Sequence, residues 1–204
     1  TPTEGVICGG SLINQNWVVT AAHCNVTTSD QVVAGMFKRR SREDGVQILN
    51  ISQIFRHHDY NVRSIFNDFA LLKLATPAQF NNYVSPVHLP HTYDDFVPGT
   101  MCTIMGWGVT HVSGIHYAHK LKQAQVPLVS MATCKRYWPF INARTMICAG
   151  SSGASSYHVR MPTQPSLTCP PGSGGPSLPR SHYPAPLVCD GASTTVTLAP
   201  DGVS

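Results

Sequence analysis

The sequence predicts an all-β fold, a barrel or a sandwich, and three observations carry that prediction. Short runs rich in β-branched and aromatic residues dominate the chain, turn residues separate them at close spacing, and only one stretch has helical character. At 204 residues the chain is large enough for a sizeable core, as one domain or as two small fused ones.

The strand-like runs come in order as "GGSLI", "WVVTA", "QVVAGMF", "VQILNISQIF", "DFALLKL", "TMCTIMGWG", "QAQVPLV" and "MICAG". Asn14-Gln15-Asn16 supplies a turn between the first two. Ser130 is placed to cap a short helix in "SMATCKRYW". Between Leu74 and Pro98 the prolines Pro77, Pro86, Pro90 and Pro98 mark a connector between two groups of strands. After Ser156 the texture changes to a proline-rich stretch with little hydrophobic alternation, which argues for loop. Strand character returns weakly in "PLVC" and "TTVTLA".

Composition narrows the function classes. Net charge is +4 and 12% of residues are charged, with the basic residues scattered apart from Lys38-Arg39-Arg40-Ser41-Arg42. That run reads as a solvated loop, which leaves nucleic acid and anionic membranes out of the expected partners. No apolar stretch approaches the roughly eighteen residues of a membrane span. Seven cysteines, with the sequons at Asn25 and Asn50, point to an oxidising, secreted and extracellular setting. The cysteines lack zinc-type spacing, so disulfides are favoured, no metal or other cofactor is expected, and the odd number leaves one thiol without an internal partner. The chain opens almost directly on "VICGGSLI", so a leader and a first segment are expected upstream of the residues seen here.

Three residues offer nucleophilic chemistry. His23, in "VVTAAHC", ends a strand-like run beside Cys24 and has the residue type of a general base. Asp68, in "NDFALLKL", is a lone acid entering an apolar strand, where burial requires a donor such as an imidazole N–H. The alternative is a carboxylate that caps the turn before the strand. Ser173 stands among glycines in "PGSGGP", as a nucleophile or as an ordinary loop serine. Asp94 and Asp95 read as solvated acids, and His57-His58-Asp59 as a solvated loop with adventitious metal affinity at most.

"CGGSLINQNWVVTAAHC", "NDFALLKL", "GWG" at Gly106 to Gly108, "CKRYW", "MICAG" and "GSGGP" together resemble the chymotrypsin-like serine proteases, specifically the pancreatic chymotrypsin group. The likeness is ordered from about Cys8 to Ser156. It implies two six-stranded Greek-key barrels in a single peptidase domain, with residues 1–85 in the first barrel and 99–204 in an incomplete second one whose part 157–204 is divergent. It further implies His23 as general base and acid, Asp68 as its orienting carboxylate and Ser173 as acyl-forming nucleophile. By the same resemblance Cys8 pairs with Cys24, Cys134 with Cys148 and Cys102 with Cys189, leaving Cys169 over. His88 stands where an activation-peptide cysteine would be anchored. The implied partners of a monomer are protein or peptide substrates and protein protease inhibitors.

Two departures fall on working parts. The family reads Gly-Asp-Ser at the nucleophile, whereas this chain reads Pro171-Gly172-Ser173. Pro171 has no N–H for the oxyanion loop, and Gly172 has no carboxylate to receive a new N-terminal ammonium. Relative to the family, segments 157–168 and 177–186 are added, and "VTLAPDGVS" faintly resembles the strand that closes the second barrel. Counting back from Ser173 places Leu167 at the base of the substrate pocket, while following the uninterrupted likeness places Ser155 and Ser156 there. Leu167 would fill the pocket and the serines would leave it open to aromatics, and the resemblance to the chymotrypsin group implies a preference for large apolar side chains. The departures fit either a splice or frame variant after Ser156 or a diverged homologue. They keep two further functions in view: a non-catalytic homologue acting as a binding module, and a product with no activity.

Overall fold

The computed structural model of the chain describes residues 8–39, 44–64, 66–89, 96–107, 118–137, 139–142, 146–149, 166–169, 187–189 and 195–200, with backbone alone at 137 and in the last three segments. Ser155, Ser156, Pro171, Gly172 and Ser173 lie outside the described residues.

The first barrel begins with a hairpin of β1 (Cys8–Asn14) and β2 (Trp17–Thr20). Asn14 closes its turn by accepting the Asn16 N–H on Oδ1 at 2.8 Å. β3 (Asp30–Ala34), β4 (Gln47–Arg56) and β5 (Ala70–Leu74) follow. Alternation gives the inside its apolar lining: along β3, Asp30, Val32 and Ala34 are buried while Gln31 and Val33 are half-buried. Leu12, Val18, Val32, Leu72 and Val84 are fully buried in the resulting core. The connector packs on this barrel, with Ala78 and Val87 donating backbone N–H bonds to Gln15 and Leu12 at 2.7 and 2.8 Å.

A strand from the far end of the sequence closes this barrel. β11 (Thr195–Pro200) lies antiparallel between β1 and β3, giving the closed order β1-β11-β3-β4-β5-β2. The faint likeness of "VTLAPDGVS" to a second-barrel strand therefore does not describe its position. Its alternating pattern is right for a strand, but the edges it satisfies are those of β1 and β3.

The second group of strands is an open sheet in the order β10-β9-β6-β7-β8. It comprises β6 (Met101–Gly106), β7 (Lys122–Val129), β8 (Cys148–Ala149), β9 (Ser166–Cys169) and β10 (Leu187–Cys189). β9 runs antiparallel to β6 and parallel to β10. Its core among the described residues is small: Cys102 and Leu128 are buried, with Phe96 and Ile147 packed against them. The one α-helix described, α1 (Met131–Tyr137), starts as predicted, with Ser130 Oγ accepting the Thr133 N–H at 3.1 Å. The basic run is not wholly a solvated loop: Lys38 bridges to Lys120, and the Arg39 N–H donates to His119 O at 2.8 Å. Leu121 N–H and Trp107 Nε1–H both donate to Phe37 O, at 2.8 and 3.1 Å, so this segment joins the two halves.

Cys8–Cys24 and Cys134–Cys148 are bonded, with Cα atoms 6.0 and 6.4 Å apart. Cys102 is also disulfide-bonded, to a side chain outside the described ones. Register bears on its partner. Thr103 faces Thr168, so Cys169 lies one step further along opposite Cys102, and Cys189 faces Cys169 on the next strand. Two strand spacings, roughly 9.5 Å, separate Cys102 from Cys189, and a disulfide spans at most roughly 7 Å between Cα atoms. Non-reducing digestion with mass mapping is expected to recover Cys102 joined to Cys169. A Cys102–Cys189 peptide pair would restore the pairing that the resemblance implies.

Candidate active site

His23 follows β2 on a single 3-10 turn, Ala22–Cys24. The turn is fixed at both ends. Asn25 takes a left-handed φ of 50° and returns its N–H to Ala22 O at 3.1 Å, a conformation asparagine tolerates better than most residues. Cys24 is bonded to Cys8, which ties the turn to the start of β1.

Asp68 sits just before β5 and not within it. Asn67, with φ of 55°, turns the chain there, and its Nδ2 donates to Asp59 O at 3.1 Å. Phe69 N–H donates back to Asn67 O at 2.9 Å, and His57 N–H donates to Phe69 O at 3.2 Å. The carboxylate is therefore delivered from a braced loop, with only 8% of its side chain exposed.

These two loops bring His23 and Asp68 together. Asp68 Oδ1 accepts the backbone N–H of His23 at 2.8 Å, and Oδ2 lies 2.6 Å from its Nδ1. A buried carboxylate needs donors, and this one takes both from a single residue. An ionised carboxylate only accepts, so Nδ1 carries the proton and the neutral ring keeps its lone pair on Nε2. Cys24 Sγ is 4.0 Å from Nε2, but a bridged sulfur has no proton to offer. With 34% of the side chain exposed, the imidazole is an oriented base open on one side.

Tyr60 belongs to this neighbourhood and was not singled out from the sequence. Burial pushes its phenol above the ordinary tyrosine range, the Asp68 carboxylate adds to the shift, and Arg56 opposes it. Nothing in "HHDY" signals that proximity, which arises only when the loop before β5 folds back. Two groups of potential metal ligands occur among the described residues. Cys8, His23 and Cys24 form one, but its sulfurs are bonded to each other. The other is the exposed loop, where His57 and His58 stack at 4.6 Å and His58 Nε2 lies 3.0 Å from Asp59 Oδ2. Leu167 lies in β9 opposite Ile104 of β6 and Leu187 of β10.

A closed antiparallel barrel joined to a second antiparallel-cored sheet, with a histidine turn locked by a disulfide onto a buried aspartate, defines the chymotrypsin-like class of folds. Comparison with known proteins gives the particular family. The trypsin family's sequence model matches residues 2–183. Trypsin-1 of Salmo salar is 40% identical over 143 residues, covering 70% of this chain and 57% of the relative. Serine protease 1 of Canis lupus familiaris is likewise 40% identical over 143 residues, with the same coverage. The chain belongs to the trypsin family, and the match spans less than two thirds of the length of these relatives.

Proposed function

We propose that the chain is a secreted serine endopeptidase of the chymotrypsin type, built on His23, Asp68 and Ser173 in one peptidase domain. The observation that carries this reading is the two-point contact of Asp68 with His23, in a chain of the trypsin family. In the reaction, His23 Nε2 takes the Ser173 hydroxyl proton as Oγ attacks the scissile carbonyl. The peptide C–N bond then breaks, the amine leaves with the proton from His23, and water releases the acyl group by the reverse transfer. Asp68 stabilises the imidazolium at each stage.

Pro171 sets the rate. Loss of one oxyanion donor costs turnover about a hundred- to a thousandfold, so a slow enzyme is expected. Substrates are proteins or peptides, with large apolar side chains preferred by the resemblance, and protein protease inhibitors would occupy the same cleft. The Cys8–Cys24 and Cys134–Cys148 disulfides, with the bonded Cys102, support a secreted location. A second reading, a non-catalytic homologue that uses the barrel surface for binding, is favoured by Pro171 and Gly172 themselves.

One experiment separates the readings. Purified chain is treated with a fluorophosphonate and the modified peptide is mapped, with His23→Ala and Ser173→Ala as controls. The enzyme reading expects label on Ser173 that depends on His23. Absence of label from a chain that denatures cooperatively would leave the binding module.

A further inference from the structure

Arg56 ends β4 at a point from which it reaches both halves of the His23–Asp68 pair. Its backbone belongs to the aspartate side. Arg56 is in register with Ala70 at the start of β5, and the next residue, His57, donates its N–H to Phe69 O at 3.2 Å. The end of β4 is therefore zipped to the residues that directly follow Asp68.

The side chain of Arg56 turns to the histidine side. Its Nη2 donates to Val26 O at 2.7 Å and lies 3.4 Å from Asn25 Oδ1. Asn25 is the residue that closes the histidine turn, with its left-handed φ and its N–H returned to Ala22 O. Val26 is 3% exposed, so its carbonyl would have little water to turn to without the guanidinium. A cationic donor makes that bond stronger than one between neutral groups, and the planar fork of arginine suits two neighbouring acceptors.

The histidine turn is thus held on two sides. The Cys8–Cys24 bond fixes it toward β1, and Arg56 fixes the residues that leave it. Tyr60 reports the same arrangement. Burial is the main cause of its raised pKa, Asp68 adds to the shift and Arg56 opposes it, so both charges act on one phenol.

We propose that Arg56 is a positioning residue for the His23–Asp68 pair: its guanidinium, on Val26 O and Asn25 Oδ1, couples the turn carrying His23 to the strand end that is zipped to the Asp68 loop. The Nδ1–Oδ2 contact at 2.6 Å is then set by the brace as well as by the pair itself. Small displacements of a reacting group cost rate steeply, so the brace also matters for peptide hydrolysis. That last consequence rests on the endopeptidase reading, whereas the coupling of the two loops does not.

The test uses the full chain labelled with 15N-histidine. The His23 Nδ1 proton, held by a carboxylate, should give a far-downfield resonance that disappears in His23→Ala. Its exchange with water is expected to quicken about tenfold in Arg56→Met, the worth of a charge-assisted hydrogen bond that solvent partly screens. Arg56→Lys keeps a charged donor and should recover most of the protection. Lys73→Met removes the same charge from an exposed position of β5 and should leave the proton unchanged. Fluorophosphonate labelling of Ser173 should slow about tenfold in Arg56→Met, by the same loss of one hydrogen bond, and hold its rate in Lys73→Met.

Equal proton exchange in Arg56→Met and Lys73→Met, with amide protection of β2 and β5 intact, would overturn the proposal. Should Arg56→Met lower that protection too, Arg56→Lys decides. A His23 proton better protected there than in Arg56→Met supports the brace, and one no better protected rejects it. If the unaltered chain takes no label at Ser173, the endopeptidase reading fails and the proton exchange still decides the role of Arg56.

Discussion

Asp68→Asn is expected to slow fluorophosphonate labelling of Ser173 by about ten thousandfold, the loss in turnover that the equivalent change causes in a well-studied serine protease. The effect follows from the two bonds that Asp68 makes with His23, at 2.8 Å to the backbone and 2.6 Å to the ring. An asparagine amide in that place either turns its NH2 toward Nδ1, forcing the proton onto Nε2, or gives up the backbone bond. Either outcome removes the lone pair or the orientation needed to accept the serine proton. The same variant has a readout independent of catalysis. The Asp68 carboxylate is one cause of the raised Tyr60 pKa, after burial, so its removal should lower the Tyr60 titration followed by phenolate absorbance. A raised folded-state pKa means that Tyr60 contributes stability below its unfolded value and loses it as pH rises through the folded one. In Asp68→Asn that alkaline loss should be smaller and should end at lower pH.

Leu72→Ala is expected to cost about 2–5 kcal/mol, the range for removing a buried leucine. Leu72 is 0% exposed and pairs across the sheet with Val18 and Ile54, so the cavity would open in the middle of the first barrel. Small domains are stable by roughly 5–15 kcal/mol, so one truncation takes a large share. The urea midpoint of unfolding measures it. Leu89→Ala, at a position 52% exposed, should shift the midpoint little. Equal shifts from the two variants would mean that the barrel core does not limit stability.

How far these features were legible before the structure depended on whether the signal was local. Alternation over "QVVA" and the Asn14–Asn16 turn are short-range, and β3 and the first hairpin formed where expected. Ser130 capped α1 for the same reason. Asp68 showed its meaning because a lone acid before an apolar strand demands a donor, and His23 supplied two. The strand at 195–200 was visible as a strand and misplaced as a neighbour. Its pattern specifies two faces but says nothing about which free edges it will meet. Tyr60 and the register of Cys102, Cys169 and Cys189 likewise depend on contacts that no spacing encodes.

The pairing of Cys8 with Leu198 sets a timetable for biosynthesis. A ribosome delivers β1, β2, β3, β4 and β5 long before it delivers the segment that seals them, so the barrel waits with two bare edges while residues 75–194 are made. Contacts between such distant parts of a chain form slowly, and unpaired edges invite association with other nascent chains. Yield in a cell should therefore depend on chaperone supply and on how quickly residues 195–200 clear the exit tunnel.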